Sequence, residues 1–151
     1  MRPTAEHVRA GLLDALAADV KGARVLDLFA GSGALGLEAI SRGAAGADFV
    51  EFRPASLHCV RANVAALRVQ QRTRIFRKDA VPFVAALAEN SYDIAFADPP
   101  YESKVLERIL ESWRVNRFAR ILSLEHTAAH DLPKGARRLK YDDTLVTIYR
   151  L

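Results

Sequence analysis

Short apolar segments alternate with helical patterns along almost the whole chain, and this alternation limits the folds that the chain can adopt. Strands are predicted at residues 24–29, 47–51, 73–77, 92–97 and 119–125, with amphipathic helical patterns between them. Such alternation typically gives a mostly parallel sheet with helices on both faces. The segments Arg137 to Tyr141 and Thr144 to Arg150 flank Asp142-Asp143 without an intervening helix, which predicts an antiparallel hairpin. We therefore expect an α/β fold in three layers, with about seven strands and this hairpin at one sheet edge.

The composition fits one globular domain of this kind. The chain has 151 residues, of which 50% are hydrophobic and 26% charged, so it can bury a core and differs from disordered chains. We expect residues 1–151 to form a single domain. No apolar run approaches the roughly 18 residues that a membrane span needs. Cys59 is the single cysteine, which excludes an internal disulfide, so we expect a cytoplasmic protein without a membrane partner.

A glycine-rich segment joins the first predicted strand to a helix and points to a ligand. Gly31 and Gly33 allow the backbone to approach a bound molecule, and free N–H groups at the helix start attract an anion. Glu51 ends the next strand, where a carboxylate can accept hydrogen bonds from ribose hydroxyls. Gly31, Gly33 and Gly36 also fit the dinucleotide fingerprint, so a nicotinamide cofactor stays open. Asp27 favours S-adenosylmethionine, because a carboxylate there would repel a pyrophosphate but could pair with a cationic amino group.

The segment Asp98-Pro99-Pro100-Tyr101 follows the fourth predicted strand. Consecutive prolines cannot continue a strand, and they expose carbonyls at the carboxyl edge of the sheet, where open α/β sheets bind ligands. A nucleobase amine is a poor nucleophile because its lone pair is conjugated with the ring. The Asp98 carboxylate and the Pro99 carbonyl can accept its two N–H bonds and favour the pyramidal nitrogen, while Tyr101 can stack on the base. These four residues are the predicted catalytic residues.

With both segments in place, the chain resembles the RsmD-type 16S ribosomal RNA guanine-N2 methyltransferases, a family of class I S-adenosylmethionine-dependent methyltransferases. The resemblance covers Arg2-Pro3-Thr4 with Val8-Arg9, the segment from Asp27 to Ala39, Ser41-Arg42-Gly43-Ala44, and Asp98 to Tyr101. It implies a Rossmann-like class I methyltransferase fold, S-adenosylmethionine as cofactor with S-adenosylhomocysteine as product, and methyl transfer to guanine N2 in 16S ribosomal RNA. Members usually carry a basic segment before the Arg-Pro-Thr opening. We expect that segment to help grip RNA, and it is missing from this sequence.

The resemblance also assigns cofactor contacts to individual residues. It implies that Asp27 and the glycine turn hold the methionine end, that Glu51 holds the ribose and that Phe52 lies against the adenine. Asp79 and Ala80 match the adenine edge, although Asp79 is also a good helix cap. The predicted cofactor-binding residues are Thr4, Arg9, Asp27, Phe29, Ala30, Gly31, Ser32, Gly33, Glu51, Phe52, Asp79, Ala80 and Asp98. No metal is expected, because the leaving group departs as a neutral thioether.

The charge of the chain agrees with a polyanionic partner. Lys and Arg number 22 against 18 Asp and Glu, which gives a net charge of +4. Phosphate contacts from basic side chains would position RNA without reading its sequence. Three groups of candidates are Arg68, Arg72, Arg74, Arg77 and Lys78; Arg114, Arg117 and Arg120; and Lys134, Arg137, Arg138 and Lys140. We expect ribosomal RNA or the small ribosomal subunit as partner, and a monomeric protein.

Three alternatives stay open at this point. The Asp-Pro-Pro-Tyr segment serves adenine-N6 methylation of DNA equally well, although the core leaves no residues for a DNA-reading domain. A non-catalytic module that binds S-adenosylmethionine or RNA would follow from the missing N-terminal segment. A nicotinamide oxidoreductase is the third alternative, which a cofactor-binding test would separate from the others.

Overall fold

The computed structural model describes residues 3–99 and 104–151, with side chains from Glu6 onward. The strands in these residues are β1 Arg24–Leu28, β2 Gly46–Val50, β3 Thr73–Phe76, β4 Tyr92–Ala97, β5 Ala119–Thr127, β6 Arg137–Tyr141 and β7 Thr144–Arg150. The helices are α1 Pro3–Ala15, α2 Ala17–Val20, α3 Ala34–Ser41, α4 Pro54–Ala66, α5 Ala80–Ala85 and α6 Val105–Asn116, with a 3₁₀ turn at Gln70–Arg72.

All seven strands belong to one sheet, in the order β3-β2-β1-β4-β5-β7-β6. Strands β1 to β5 are parallel to one another, and β7 runs antiparallel to both β5 and β6. The predicted hairpin is confirmed with its bounds, and β6 forms the sheet edge as expected. The strand order reverses between β1 and β4, and ligands of open α/β sheets bind at such a reversal, beyond the carboxyl ends of the strands.

Side chains alternate between two apolar cores, one on each face of the sheet. In β1, Val25 packs into the core that contains α1, α3 and α4, whereas Leu26 and Leu28 pack into the core that contains α5 and α6. Strand β4 shows the same alternation, because Ile94 and Phe96 belong to the first core and Ala95 and Ala97 to the second. The predicted three-layer α/β arrangement is therefore confirmed.

The helical patterns place apolar side chains at the spacing that a buried helix face requires. Leu106, Ile109, Leu110 and Trp113 of α6 are all buried, and Trp113 Nε1 donates to the Ala119 carbonyl oxygen at 2.7 Å. This hydrogen bond holds the end of α6 against the start of β5. No helix in residues 3–99 and 104–151 has the length and apolar character that crossing a membrane requires.

Several boundaries differ from the sequence-based prediction: β1 ends at Leu28, β2 spans Gly46–Val50 and β3 ends at Phe76, each one residue from the predicted bounds. Helix α1 is recorded from Pro3; proline suits the first helical position because that position needs no N–H donor. Val8, Leu12 and Leu16 have the spacing of one helix face, but α1 ends at Ala15 and the separate helix α2 follows Leu16. Strand β5 continues to Thr127, two residues beyond its predicted end at Glu125, because β7 pairs with it as far as Thr144.

Candidate active site

A cavity of about 290 Å³ opens at the carboxyl ends of β1 and β4, where the strand order reverses. Its lining residues come from α1, the glycine turn and the ends of β4 and β5. They are Arg9, Leu12, Asp27, Phe29, Ala30, Gly31, Ser32, Ala34, Leu35, Arg53, Asp98 and Glu125. Six of the predicted site residues therefore share one cavity with Asp98.

A larger cavity of about 340 Å³ lies at the opposite edge, between the starts of the parallel strands. There Arg74 donates to both carboxylate oxygens of Asp48, at 3.1 and 2.7 Å, and the Tyr92 hydroxyl donates to Asp48 Oδ2 at 2.6 Å. This network joins β2, β3 and β4. This larger cavity lies at the other end of the strands from the glycine turn. The candidate active site is therefore assigned to the 290 Å³ cavity at the carboxyl edge.

The turn after β1 adopts backbone conformations that open space for a ligand. Gly31 and Gly33 have φ of +59° and +81°. A Cβ at Gly31 would meet no atom within 4 Å, so the space beside this glycine is open, whereas a Cβ at Gly33 would lie 2.6 Å from Val60 Cγ2. Phe29 also has a positive φ of 59°, which is costly for a bulky side chain and is typical of functional turns.

Asp27 brings a buried carboxyl group to the floor of the cavity. Its Oδ2 accepts a hydrogen bond from the Gly36 amide at 3.0 Å, and the residue is 3% exposed. Burial raises the pKa of Asp27 to about 7, the Gly36 hydrogen bond opposes this rise, and the nearby Asp98 and Glu51 carboxylates add to it. A positively charged group entering the cavity would relieve this unfavourable burial, as the predicted pairing with an amino group requires.

Glu51 holds the turn together from the end of β2. Its Oε1 accepts from the Gly31 amide at 3.0 Å, and its Oε2 accepts from the Phe52 and Arg53 amides at 2.8 and 2.9 Å. Burial opposes ionisation, but the hydrogen bonds from Arg53, Gly31 and Phe52 outweigh it and lower the pKa of Glu51 below its ordinary value. The group is therefore a charged acceptor beside the cavity, which suits the predicted ribose contact.

A second cavity of about 170 Å³ adjoins the first and contains the residues predicted to face the adenine. Phe29, Val50, Glu51, Phe52, Arg53, Lys78, Asp79 and Ala80 line it. Phe52 is 61% exposed, a large apolar side chain left open to a planar ring. Asp79 caps α5 by accepting from the Val81 amide at 3.4 Å, so the capping interpretation is confirmed, and the residue also lines this cavity.

The predicted catalytic segment is described only in its first half. Asp98 follows β4, lines the 290 Å³ cavity and is exposed, and Pro99 is half-buried. Arg9 lines the same cavity from α1, and its Nε donates to Glu38 Oε1 at 3.1 Å. The predictions for Pro100, Tyr101 and the side chain of Thr4 lie outside the described residues.

Several lining residues were missed by the sequence reasoning. Leu12, Ala34, Leu35 and Arg53 give no separate motif signal, although each neighbours a predicted element. Glu125 could have been found, because it occupies the carboxyl end of a predicted strand, as Asp27 and Asp98 do. Lys78 of the second cavity appeared in the sequence only as one of the basic residues.

The structure divides the basic residues between the two edges of the sheet. Arg77 and Lys78 follow β3 at the edge that contains the cavities. Arg72 and Arg74 lie at the opposite edge, where Arg72 donates to the Ala44 and Ala45 carbonyls and Arg74 pairs with Asp48. Arg120 also lines a cavity at that opposite edge. The first group is therefore not one continuous RNA-facing patch, since two of its members hold the fold.

The two cavities fit the parts of S-adenosylmethionine. The 290 Å³ cavity offers open space beside Gly31 and a buried carboxyl group for an ammonium, and the 170 Å³ cavity offers Phe52 for a purine. Glu51 lies where the two meet and can accept from ribose hydroxyls. By contrast, Asp27 places a buried carboxyl group beside the glycine turn, where a dinucleotide would need to bind its pyrophosphate.

Comparisons with known proteins agree with this geometry. The family described as "Conserved hypothetical protein 95" matches residues 1–143. The Bacillus subtilis (strain 168) protein YlbH is 31% identical over 160 residues, which cover 99% of this chain and 87% of YlbH. "Ribosomal RNA small subunit methyltransferase D" of Escherichia coli (strain K12) is 40% identical over 110 residues, covering 73% of this chain and 54% of the relative. The match therefore spans about half the length of that E. coli protein.

A solved structure extends the similarity to nearly the whole fold. The Escherichia coli protein yhhF superposes with a TM-score of 0.85 at 31% identity, and the match covers 95% of this chain and 85% of that one. The chain therefore belongs to the "Conserved hypothetical protein 95" family, the RsmD-type class I S-adenosylmethionine-dependent methyltransferases.

Proposed function

We propose that this protein transfers the methyl group of S-adenosylmethionine to the N2 amine of a guanine in 16S ribosomal RNA. One observation supports the proposal above all others. Asp98, with Pro99 after it, opens into the same cavity as Asp27 and the glycine turn. An acceptor for a base amine and the features that fit the methyl donor therefore lie in one cavity, and Pro99 directly follows that acceptor.

The carboxylates at the ends of β1 and β4 have different tasks in this proposal. Asp27 is buried and suits the ammonium group of the cofactor, whereas Asp98 is exposed and can meet an incoming base. The base leaves its stack to reach the cavity, as nucleobase-modifying enzymes require. Asp98 and the Pro99 carbonyl then accept the two N–H bonds of the amine and hold its nitrogen in line with the methyl group. When bound, S-adenosylmethionine would supply the electrophilic methyl group: the sulfonium–methyl bond would break to leave a neutral thioether as the N2–methyl bond formed. The proton that N2 gives up would pass to the Asp98 carboxylate or to solvent.

The assay is transfer of labelled methyl from S-adenosylmethionine to unmodified small ribosomal subunits and, separately, to naked 16S ribosomal RNA. The labelled nucleoside is identified after digestion. We expect label on N2 of a guanine with the wild-type protein. In the Asp98→Ala variant we expect the amount of label to fall at least about a hundredfold, because alanine cannot accept a hydrogen bond from the target amine in the transition state. The affinity of this variant for the cofactor should stay within a few fold of the wild type.

Two further variants separate the roles of the carboxylates. Glu51→Ala removes the acceptor of three backbone amides at the cofactor turn, and we expect it mainly to weaken cofactor binding. Glu89→Ala removes an exposed carboxylate that precedes β4 at the opposite sheet edge, and we expect it to behave as the wild type. Equal loss of cofactor binding in the Asp98 and Glu51 variants would contradict the assignment.

The same assay decides among the alternatives. Label on adenine N6 of DNA would support a DNA methyltransferase in place of the proposed function. Cofactor binding without label on any substrate would support a binding module. We further propose that the protein acts as a single-domain monomer in the cytoplasm, with either ribosomal RNA or the small subunit as its partner; the two substrate arms of the assay distinguish those two forms.

A further inference from the structure

A third carboxylate lines the 290 Å³ cavity and has no task in the proposed function. Glu125 lies in β5, next to the strand that ends at Asp98, and is half-buried. Asp27, Asp98 and Glu125 thus follow one another across the neighbouring strands β1, β4 and β5. Asp27 suits the ammonium group of the cofactor and Asp98 suits the target amine. Glu125, on the far side of Asp98, is therefore placed beside the target base.

The register of the sheet brings Glu125 next to Asp98. Ala97 of β4 pairs with Leu124 of β5, so the residues that follow each of them start about 4.8 Å apart across parallel strands. Leu124 belongs to the core with α5 and α6, and Glu125 therefore points to the opposite face, as does its partner Val146. Asp27 lies on that same face. Both carboxylates can reach donors on adjacent atoms of one base.

Guanine and adenine differ at the ring position beside their amine. Guanine carries an N–H donor at N1, next to its N2 amine, whereas adenine has an N1 lone pair next to its N6 amine. A carboxylate can accept a hydrogen bond from the guanine N1–H. Opposite adenine, the carboxylate and the N1 lone pair are both acceptors, so no hydrogen bond forms between them. An acceptor facing an acceptor in a partly buried site leaves both without a hydrogen bond, which rejects the wrong base strongly.

We infer that Glu125 is the specificity-determining residue for guanine: its carboxylate accepts the N1–H of the target base while Asp98 and Pro99 hold the N2 amine. The inference rests on the proposed function, because it concerns the base in the same cavity. It also explains how one Asp-Pro-Pro-Tyr segment, which suits both purine amines, can be restricted to one of them.

The test compares the wild type with Glu125→Gln and with the control Glu111→Gln, which changes an exposed glutamate of α6. The methylated guanine is first located with the wild type. The 16S ribosomal RNA is then prepared with 2,6-diaminopurine at that single position and, if the subunit is the substrate, reconstituted. This base keeps the 2-amino group but presents a lone pair at N1 and an amine in place of the 6-oxo group. The N1 contact is therefore assigned by the change in discrimination between wild type and Glu125→Gln, and not by the base change alone.

For the wild type we expect kcat/KM on the diaminopurine RNA to fall by at least about tenfold relative to guanine. The Glu125→Gln variant should lose at least about tenfold on guanine and should discriminate between the two bases by less than about threefold, since its amide can donate to N1. Its affinity for S-adenosylhomocysteine, measured by calorimetry, should stay within about threefold of the wild type. The Glu111→Gln variant should match the wild type throughout.

Two results would overturn the inference. One is an unchanged preference for guanine over diaminopurine in Glu125→Gln. The other is a loss of S-adenosylhomocysteine binding that accounts for the whole loss of activity, which would make Glu125 a cofactor residue. Failure of the proposed function is distinct from both results, because the wild type itself would then place no label on a guanine amine.

Discussion

The Asp27→Asn substitution should stabilise the protein without cofactor at neutral pH. Burial raises the pKa of Asp27 from 3.8 to about 7, so keeping this carboxylate ionised in the folded protein costs about 4 kcal/mol. Asparagine has nearly the same shape, and its oxygen can still accept from the Gly36 amide. The substitution therefore removes the cost of the charge and keeps the hydrogen bond.

The sign of the pH dependence follows from the raised pKa. Below pH 3.8 Asp27 is protonated in both the folded and the unfolded chain, so the pKa difference contributes its full stability there. As pH rises towards about 7, the unfolded chain releases the proton that the folded chain retains, and the wild type loses stability. We expect the two proteins to converge near pH 4 and the variant to be more stable by about 4 kcal/mol at pH 8.

Urea denaturation of both proteins without cofactor, repeated at intervals from pH 4 to pH 8, measures this difference. Asp48→Asn is the matched control, because Asp48 is also buried but accepts two hydrogen bonds from Arg74 and one from Tyr92. That variant should be less stable than the wild type at pH 8. A stability difference for Asp27→Asn that does not change with pH, or a less stable Asp27→Asn variant at pH 8, would refute the reasoning.

Two further substitutions test the glycine turn and the opposite edge. Gly33→Ala should lower the free energy of unfolding by about 1–3 kcal/mol and weaken binding of S-adenosylhomocysteine, because φ is +81° and the new Cβ would lie 2.6 Å from Val60 Cγ2. Thermal unfolding and calorimetry check this, and wild-type values in both would contradict it. Tyr92→Phe should cost about 1–3 kcal/mol through the lost hydrogen bond to Asp48 but leave that affinity unchanged. A weaker affinity of Tyr92→Phe for S-adenosylhomocysteine would contradict the assignment of the cofactor to the carboxyl edge, because Tyr92 lies at the opposite edge.

Local patterns predicted most of the sheet and the location of the site. Strand β4 and both arms of the hairpin were predicted with their bounds, because their turns and prolines mark the limits of the apolar segments. The glycine turn and Asp98 were placed together, since a parallel sheet brings the carboxyl ends of its strands to one edge. The family resemblance, and not spacing, suggested the contacts of Phe52 and Ala80.

The features that were missed depend on contacts between distant residues. The place of Glu125 at the carboxyl end of a strand was visible in the sequence, but its position next to Asp98 depends on the register between β4 and β5, which no local pattern encodes. The sequence alone suggested Arg72 and Arg74 as RNA contacts, whereas in the structure they bind Ala44 and Asp48 and hold neighbouring segments of the fold together. The break between α1 and α2 is also tertiary in origin, since Leu16 continues the helical spacing of apolar residues and is itself buried.

The contact between α1 and β6 has a consequence for biosynthesis. The Tyr141 ring occupies the place where a side chain at position 11 of α1 would lie, and it packs edge-on against His7 with ring centroids 5.6 Å apart. Arg9 and Leu12 of this same helix form one wall of the 290 Å³ cavity. On the ribosome, α1 emerges well before β6 and meets this packing partner only after about 130 further residues have been made, and such distant contacts form late. A nascent chain thus has an incomplete cavity, and affinity for the methyl donor should appear only once the hairpin has folded.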